Sequence, residues 1–129
     1  CGAKPVFAAI NEKTYNIDPN SVKEKITAKT KAVVAVDFTG QAVEVDELLA
    51  ICRKKNLVLI EDGAHSIGTL YKGQGVGSVA DMTTFSFHPV KTVTGGEGGA
   101  VLTNNEEYYK KLNIYNCGMF GSILFIKYT

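Results

Sequence analysis

Apolar positions along the chain fall into short runs separated by polar turns, and the period of each run assigns its element. Residues 5–10, Pro5-Val6-Phe7-Ala8-Ala9-Ile10, predict a short strand. Asn16-Ile17-Asp18-Pro19 predicts a helix start, with Asp18 as the cap and Pro19 at the first helical position. Val22 and Ile26 carry its buried face to about residue 27. Residues 31–37 hold the run Lys31-Ala32-Val33-Val34-Ala35-Val36-Asp37, which suits a strand of a parallel sheet buried on both faces. Thr39-Gly40-Gln41 predicts a turn. Residues 45–56 predict an amphipathic helix, with Leu48, Leu49, Ile51 and Cys52 at helical spacing. Basic residues crowd its last turn, and Asn56 suits the C-cap.

Residues 57–61, Leu57-Val58-Leu59-Ile60-Glu61, predict another short buried strand. Strand, helix and strand with short links make a βαβ unit, so the sheet is expected to be parallel here. Residues 68–81 predict a loop or hairpin. Strands are expected at 82–87 and 100–103, and a last helix from Asn104 or Asn105 to about Leu112, with Glu106 and Glu107 at its positive end. The order gives an α/β fold built on a mostly parallel sheet.

Composition adds exclusions. The chain has 129 residues, 45% of them hydrophobic, and a formal net charge of +1. That is one domain with a core, and its charge offers nothing to nucleic acid or an anionic membrane. No run has the length and apolarity of a membrane span or a signal peptide. Cys1, Cys52 and Cys117 are widely spaced, fit no zinc pattern and suit reduced thiols in the cytoplasm. The start at Cys1 without methionine and the apolar run 121–129 lead to the expectation of a piece of a longer protein with a non-native tail. The alternative is a complete small domain ending in an edge strand.

Candidate chemistry gathers at strand ends. Phe85-Ser86-Phe87-His88-Pro89-Val90-Lys91 places a lysine just past an apolar run, before Gly95-Gly96-Glu97-Gly98-Gly99. Glu61-Asp62-Gly63-Ala64-His65-Ser66 puts an acid and a histidine after another strand. In open α/β sheets ligands collect at the carboxyl ends of strands. A lysine and an acid so placed are what pyridoxal phosphate (PLP) needs: an amine for a Schiff base, and a carboxylate to keep the pyridine nitrogen protonated. Asp62 fits that acid or, equally, a cap on its own turn. His65 fits a ligand contact or a turn histidine satisfied by backbone. Ser86 and His88, expected on one face of a strand, fit a phosphate donor and a weaker second candidate. Lys91 is expected near the core, where burial favours the nucleophilic amine, against the alternative of a loop lysine in solvent. Gly73-Gln74-Gly75-Val76-Gly77 opens no helix and is no dinucleotide fingerprint.

Together these segments resemble the DegT-like sugar-nucleotide aminotransferases, which share the aspartate-aminotransferase fold type. The resemblance rests on Gly40-Gln41 with the Asp46 helix, residues 60–66, Tyr71-Lys72-Gly73, residues 85–91 and residues 96–104, and runs over roughly 2–119. The wording around Lys91 is similar to the branch that aminates 4-keto-6-deoxy sugar nucleotides, as in pseudaminic-acid synthesis. The resemblance implies a three-layer α/β/α unit, here incomplete. Residues 1–119 would be the central part of the PLP-binding large domain and 120–129 an atypical tail. It implies Lys91 as the Schiff-base lysine that also moves the substrate proton, Asp62 at the pyridine nitrogen, His65 beside the ring oxygen, and Ser86 at the phosphate. Glutamate would give the amino group, a nucleotide-linked keto sugar would receive it, and the active site would form in a homodimer. A sister branch of dehydratases carries histidine in place of the lysine, and Lys91 argues against it.

This sequence departs from the family pattern in lacking the upstream phosphate-holding turn, the aromatic that stacks on the ring, and the C-terminal small domain. Ala9 stands where a family aspartate is common. The isolated chain is therefore expected to be inactive. The alternatives are a non-enzymatic truncated remnant, which would self-associate through bared apolar surface, or a weak PLP-binding module.

Overall fold

The computed structural model describes residues 2–115 and 123–127. Helix α1 (Pro19–Lys25) begins as its sequence dictates: the Asp18 carboxylate accepts the Asn20 N–H, and Pro19 opens the first turn. Strand β1 (Ala32–Val36) and a short 3₁₀ turn (Phe38–Gly40) lead to α2 (Val45–Lys55). Asn56 ends α2 in the left-handed conformation, its N–H closing on the Arg53 and Cys52 carbonyls. Then follow β2 (Val58–Asp62), the small hairpin β3 (Leu70–Tyr71) and β4 (Gln74–Gly75), β5 (Met82–Ser86), β6 (Gly99–Thr103), α3 (Glu106–Tyr115) and β7 (Ile123–Lys127). Asn105 caps α3, accepting the Glu107 and Tyr108 N–H groups.

The main sheet has the order β1-β2-β5-β6-β7. β1, β2 and β5 run parallel, β6 is antiparallel to β5, and β7 is parallel to β6. This is the incomplete α/β unit with a mostly parallel sheet that the sequence predicts. The core lies on one sheet face. Val45, Leu48, Ile51 and Cys52 of α2 pack with Val33, Ala35 and Leu59 of the sheet and Val22 of α1. Arg53 on α2 makes a forked ion pair with Asp81 at 2.7 and 3.1 Å, and Asp81 also accepts the Leu59 N–H. Lys72 of the hairpin reaches Asp46 at 2.8 Å.

Two predicted features differ. β1 is buried on one face only: Val33 and Ala35 are covered, while Val34 and Val36 are 58% and 49% exposed. It is the edge of the sheet, and no described helix covers the Val34 face. Residues 5–10 form no strand, because no sheet edge runs beside them; Ile10 makes an isolated bridge to Ile17 and Phe7 is exposed. The 120–129 tail includes β7, which pairs along the whole of β6. Cys52 is a free, buried thiol, and Cys1 and Cys117 lie outside the described residues.

Candidate active site

The carboxyl ends of β1, β2 and β5 lie side by side, since Val36 pairs with Asp62 and Asp62 with Thr84. The antiparallel β6 starts at this same end, with Gly99 opposite Ser86. Four loops therefore converge here: those after Val36, Asp62 and Ser86, and the glycine-rich approach to Gly99. Gly99 has to be glycine. A Cβ there would lie 2.5 Å from the Phe85 carbonyl oxygen.

Alternation along the strands decides what faces where. In β2, Leu59 and Glu61 are buried on the α2 side, so Asp62 projects to the opposite, partly open face. Thr84, in register with Asp62, shares that face, and Ser86 lies one pleat further along it. An acid and a hydroxyl thus stand on one open face at the strand ends. Asp62 also accepts the Ala64 N–H through Oδ1 at 3.1 Å, so it caps its own turn as well. That bond does not exhaust the side chain, since a carboxylate has acceptor capacity for more than one partner.

His65 and Lys91 meet. Lys91 Nζ lies 2.7 Å from His65 Nε2. Lys91 closes a turn in which its N–H bonds the His88 carbonyl at 2.9 Å. It is half-buried rather than enclosed by the core, since Pro89 and Val90 beside it are exposed. His88 does not share a strand face with Ser86, as β5 ends at Ser86. His88 is exposed, and only its backbone N–H approaches Ser86 Oγ, at 3.4 Å. The loop that follows is tied back to the strand: the Phe87 carbonyl accepts the Gly95 N–H and the Thr94 hydroxyl, and the Phe87 N–H bonds the Gly98 carbonyl.

Beneath this face lies a buried acidic pair that the sequence reading did not single out. Glu61 is 2% exposed and accepts the Thr83 hydroxyl at 2.8 Å. Burial pushes its carboxyl above the usual range, and Asp37 pushes it further, against the Thr83 and Gly77 hydrogen bonds. Burial likewise raises Asp37, with Asp62 adding to it, while bonds from Ser66 and Val43 pull it down. The signal was available in part: Glu61 sits two positions from Leu59, on the core side of an alternating strand. Among the described residues there is no group of His, Cys, Asp and Glu suited to a metal ion. No described helix is long and apolar enough to cross a membrane.

Known proteins are similar to this chain in sequence and in fold. The DegT/DnrJ/EryC1/StrS aminotransferase family matches residues 1–122. The GDP-perosamine synthase of Vibrio cholerae is 45% identical over 120 residues, which are 92% of this chain and 33% of that protein. The UDP-4-amino-4,6-dideoxy-N-acetyl-β-L-altrosamine transaminase of Campylobacter jejuni is 42% identical over 116 residues, 88% of this chain and 31% of that one. The structure of Helicobacter pylori PseC, an aminotransferase involved in the biosynthesis of pseudoaminic acid, superposes with a TM-score of 0.86 at 35% identity. That match covers 98% of this chain and 36% of PseC. The chain thus spans about a third of the length of the proteins it matches. With the family matched over nearly its whole length, the chain belongs to the DegT/DnrJ/EryC1/StrS aminotransferases.

Proposed function

We propose that this chain supplies the cofactor-binding centre of a PLP-dependent aminotransferase that acts on a nucleotide-linked 4-keto-6-deoxy sugar with glutamate as donor. The observation that carries the proposal is the contact between Lys91 and His65, beside an acid and a hydroxyl on one open sheet face. The similarity to a GDP-linked and a UDP-linked sugar enzyme supports the substrate class.

The residues present fit the cofactor. Asp62 offers a carboxylate on the open face, where a protonated ring nitrogen would find an ion-pair partner. Ser86 offers a hydroxyl further along that face, suited to a phosphate oxygen. Lys91 offers the amine, and His65 holds it in place by a hydrogen bond. When bound, PLP withdraws electrons from the carbon that carries the amino group, so that carbon can lose and regain a proton. Lys91 Nζ is the group to move that proton, since an amine on a flexible stem can reach it while His65 limits its swing. Asp62 would hold the proton on the pyridine nitrogen. The glycines before β6 let backbone approach the site closely.

Residues 1–119 would form the central part of the cofactor domain, with 120–129 as a tail. The protein would act in the cytoplasm, which suits the free Cys52 thiol. It would act as a homodimer, covering apolar surface such as Val34 and Val36. The 129 residues alone would be inactive, because that face stays open and the chain spans a third of its relatives.

The test is amine transfer from ¹⁵N-glutamate to UDP- and GDP-linked 4-keto-6-deoxy sugars, read by mass spectrometry. The chain would be assayed alone and in place of the matching third of the V. cholerae enzyme. The chimera should transfer nitrogen and lose the activity with Lys91→Ala. A folded chimera indifferent to Lys91→Ala would overturn the proposal, and transfer by the isolated chain would overturn its inactivity. Dehydration of the sugar without nitrogen transfer would point to the dehydratase branch instead.

A further inference from the structure

Asp37 has no part in the chemistry above, yet its bonds run to the turn that carries it. It follows β1 directly and is 1% exposed. Its backbone N–H donates to the Asp62 carbonyl at 3.0 Å. Its carboxylate accepts the Ser66 hydroxyl at 2.5 Å through Oδ2 and the Val43 N–H at 2.9 Å through Oδ1. Asp62 and Ser66 are the two ends of the turn that contains His65, so one residue grips both ends of it. The turn is closed internally by the Ser66 N–H on the Gly63 carbonyl. It is backed by Gly40, whose N–H bonds the Asp37 carbonyl. Gly40 lies so near the His65 carbonyl that a Cβ would stand 2.8 Å from its oxygen.

We propose that Asp37 is a positioning residue, which clasps residues 62–66 at both ends and so fixes where Asp62 meets PLP and where His65 meets Lys91. The inference rests on the reading of Asp62 as a cofactor contact and of His65 as the partner of Lys91. A buried carboxylate needs a reason, because an apolar side chain of its size would fill the same space without losing hydration. Here each oxygen takes a donor that would otherwise be buried unpaired: the Ser66 hydroxyl, on a residue with no exposed surface, and the Val43 N–H. Both bonds fix loops, one from β1 to α2 and one from β2 to the hairpin. The first holds the second in register with the sheet. Asp62 is separated from the clasp only by its own peptide, so a shift of the turn moves its carboxylate directly.

The experiment compares the chain with Asp37→Asn, Asp37→Ala and Ser66→Ala. Amide hydrogen exchange is followed by mass spectrometry and NMR, and PLP affinity is measured by absorbance titration. Ser66→Ala and Asp37→Ala should speed exchange at Ser66 and Thr69 roughly tenfold, leave the amides of α2 unchanged, and weaken PLP binding by about the same factor. Asp37→Asn keeps an acceptor for Val43 and turns a donor toward Ser66, so it should fall between the parent and Asp37→Ala. A merely structural role would lower the melting temperature without this local pattern. Where Asp37→Ala does not fold, Ser66→Ala and Asp37→Asn decide. Unchanged exchange in both overturns the clasp. Faster exchange with unchanged PLP affinity, while Asp62→Ala weakens it, overturns the positioning role. If neither Asp62→Ala nor Lys91→Ala alters PLP affinity, the cofactor reading fails and the positioning role with it, whatever the exchange data say of the clasp.

Discussion

The Lys91 amine stands 2.7 Å from His65 Nε2, across 26 positions of sequence. Each residue sits in the turn that follows a parallel strand, and β2 and β5 are neighbours, so strand order alone brings the two turns together. A free lysine side chain explores many rotamers, and a fixed acceptor removes most of that search.

His65→Ala should therefore loosen Lys91, and His65→Gln should return a partner of similar reach. With PLP and borohydride, followed by peptide mass spectrometry, labelling of Lys91 should slow about tenfold in His65→Ala and recover largely in His65→Gln. Equal labelling in all three proteins would mean that the imidazole does not hold the amine.

Gly99 is set against the Phe85 carbonyl, where a Cβ would stand at 2.5 Å. Gly99→Ala must push β5 and β6 apart at the end of the sheet that carries Ser86. The expected cost is about 1–3 kcal/mol, read from urea unfolding. Gly95→Ala is the control, since a Cβ there meets nothing closer than 3.9 Å, and its effect should be within about 0.5 kcal/mol.

Glu61 gives a pH signature. Its folded-state carboxyl lies above the usual 4.5 because it is buried and faces Asp37. The folded protein therefore holds this proton more tightly than the unfolded chain. The stabilisation is full below the unfolded value and is lost as pH rises through the folded one. Glu61→Gln removes that loss. The stability difference, variant minus parent, should rise as the pH climbs above the usual 4.5, in urea midpoints taken across a pH series. A difference independent of pH would mean that Glu61 does not titrate above its ordinary range.

Legibility in the sequence followed the range of the forces involved. The caps at Asp18 and Asn56 and the amphipathic stripe of α2 are local, so spacing alone located them. The one-sided burial of β1 was not legible, because Val34 and Val33 read alike and only the neighbouring layer distinguishes them. The exposed 5–10 segment misled for a related reason: β propensity cannot supply a partner strand. At the site, the Lys91 turn and the acid that ends β2 stand out by residue type. Asp37 did not, since its role depends on Ser66 and Asp62, both distant in sequence. His88 was misplaced because β5 stops two residues before it.

Asp81 and Arg53 are partners of unequal weight. The Asp81 side chain is 10% exposed and also accepts the Leu59 N–H, whereas Arg53 is 61% exposed. Asp81→Ala leaves a buried donor unpaired and should cost about 1–3 kcal/mol. Arg53→Ala removes only a solvent-screened pair and should cost about 1 kcal/mol or less. Urea unfolding of both variants checks the order, and equal losses would assign the stabilisation to the ion pair rather than to the Leu59 bond.

The most direct measurement is the site of covalent attachment. The chain is mixed with PLP, reduced with borohydride, digested and mapped by mass spectrometry, alongside Lys91→Ala. The account predicts that the label falls on Lys91 in preference to the other lysines, and that Lys91→Ala abolishes the saturable part of the labelling. Label spread over the exposed lysines, unaltered by Lys91→Ala, would contradict it: Lys91 would then be a loop lysine beside a histidine, and the cofactor site would have to lie elsewhere.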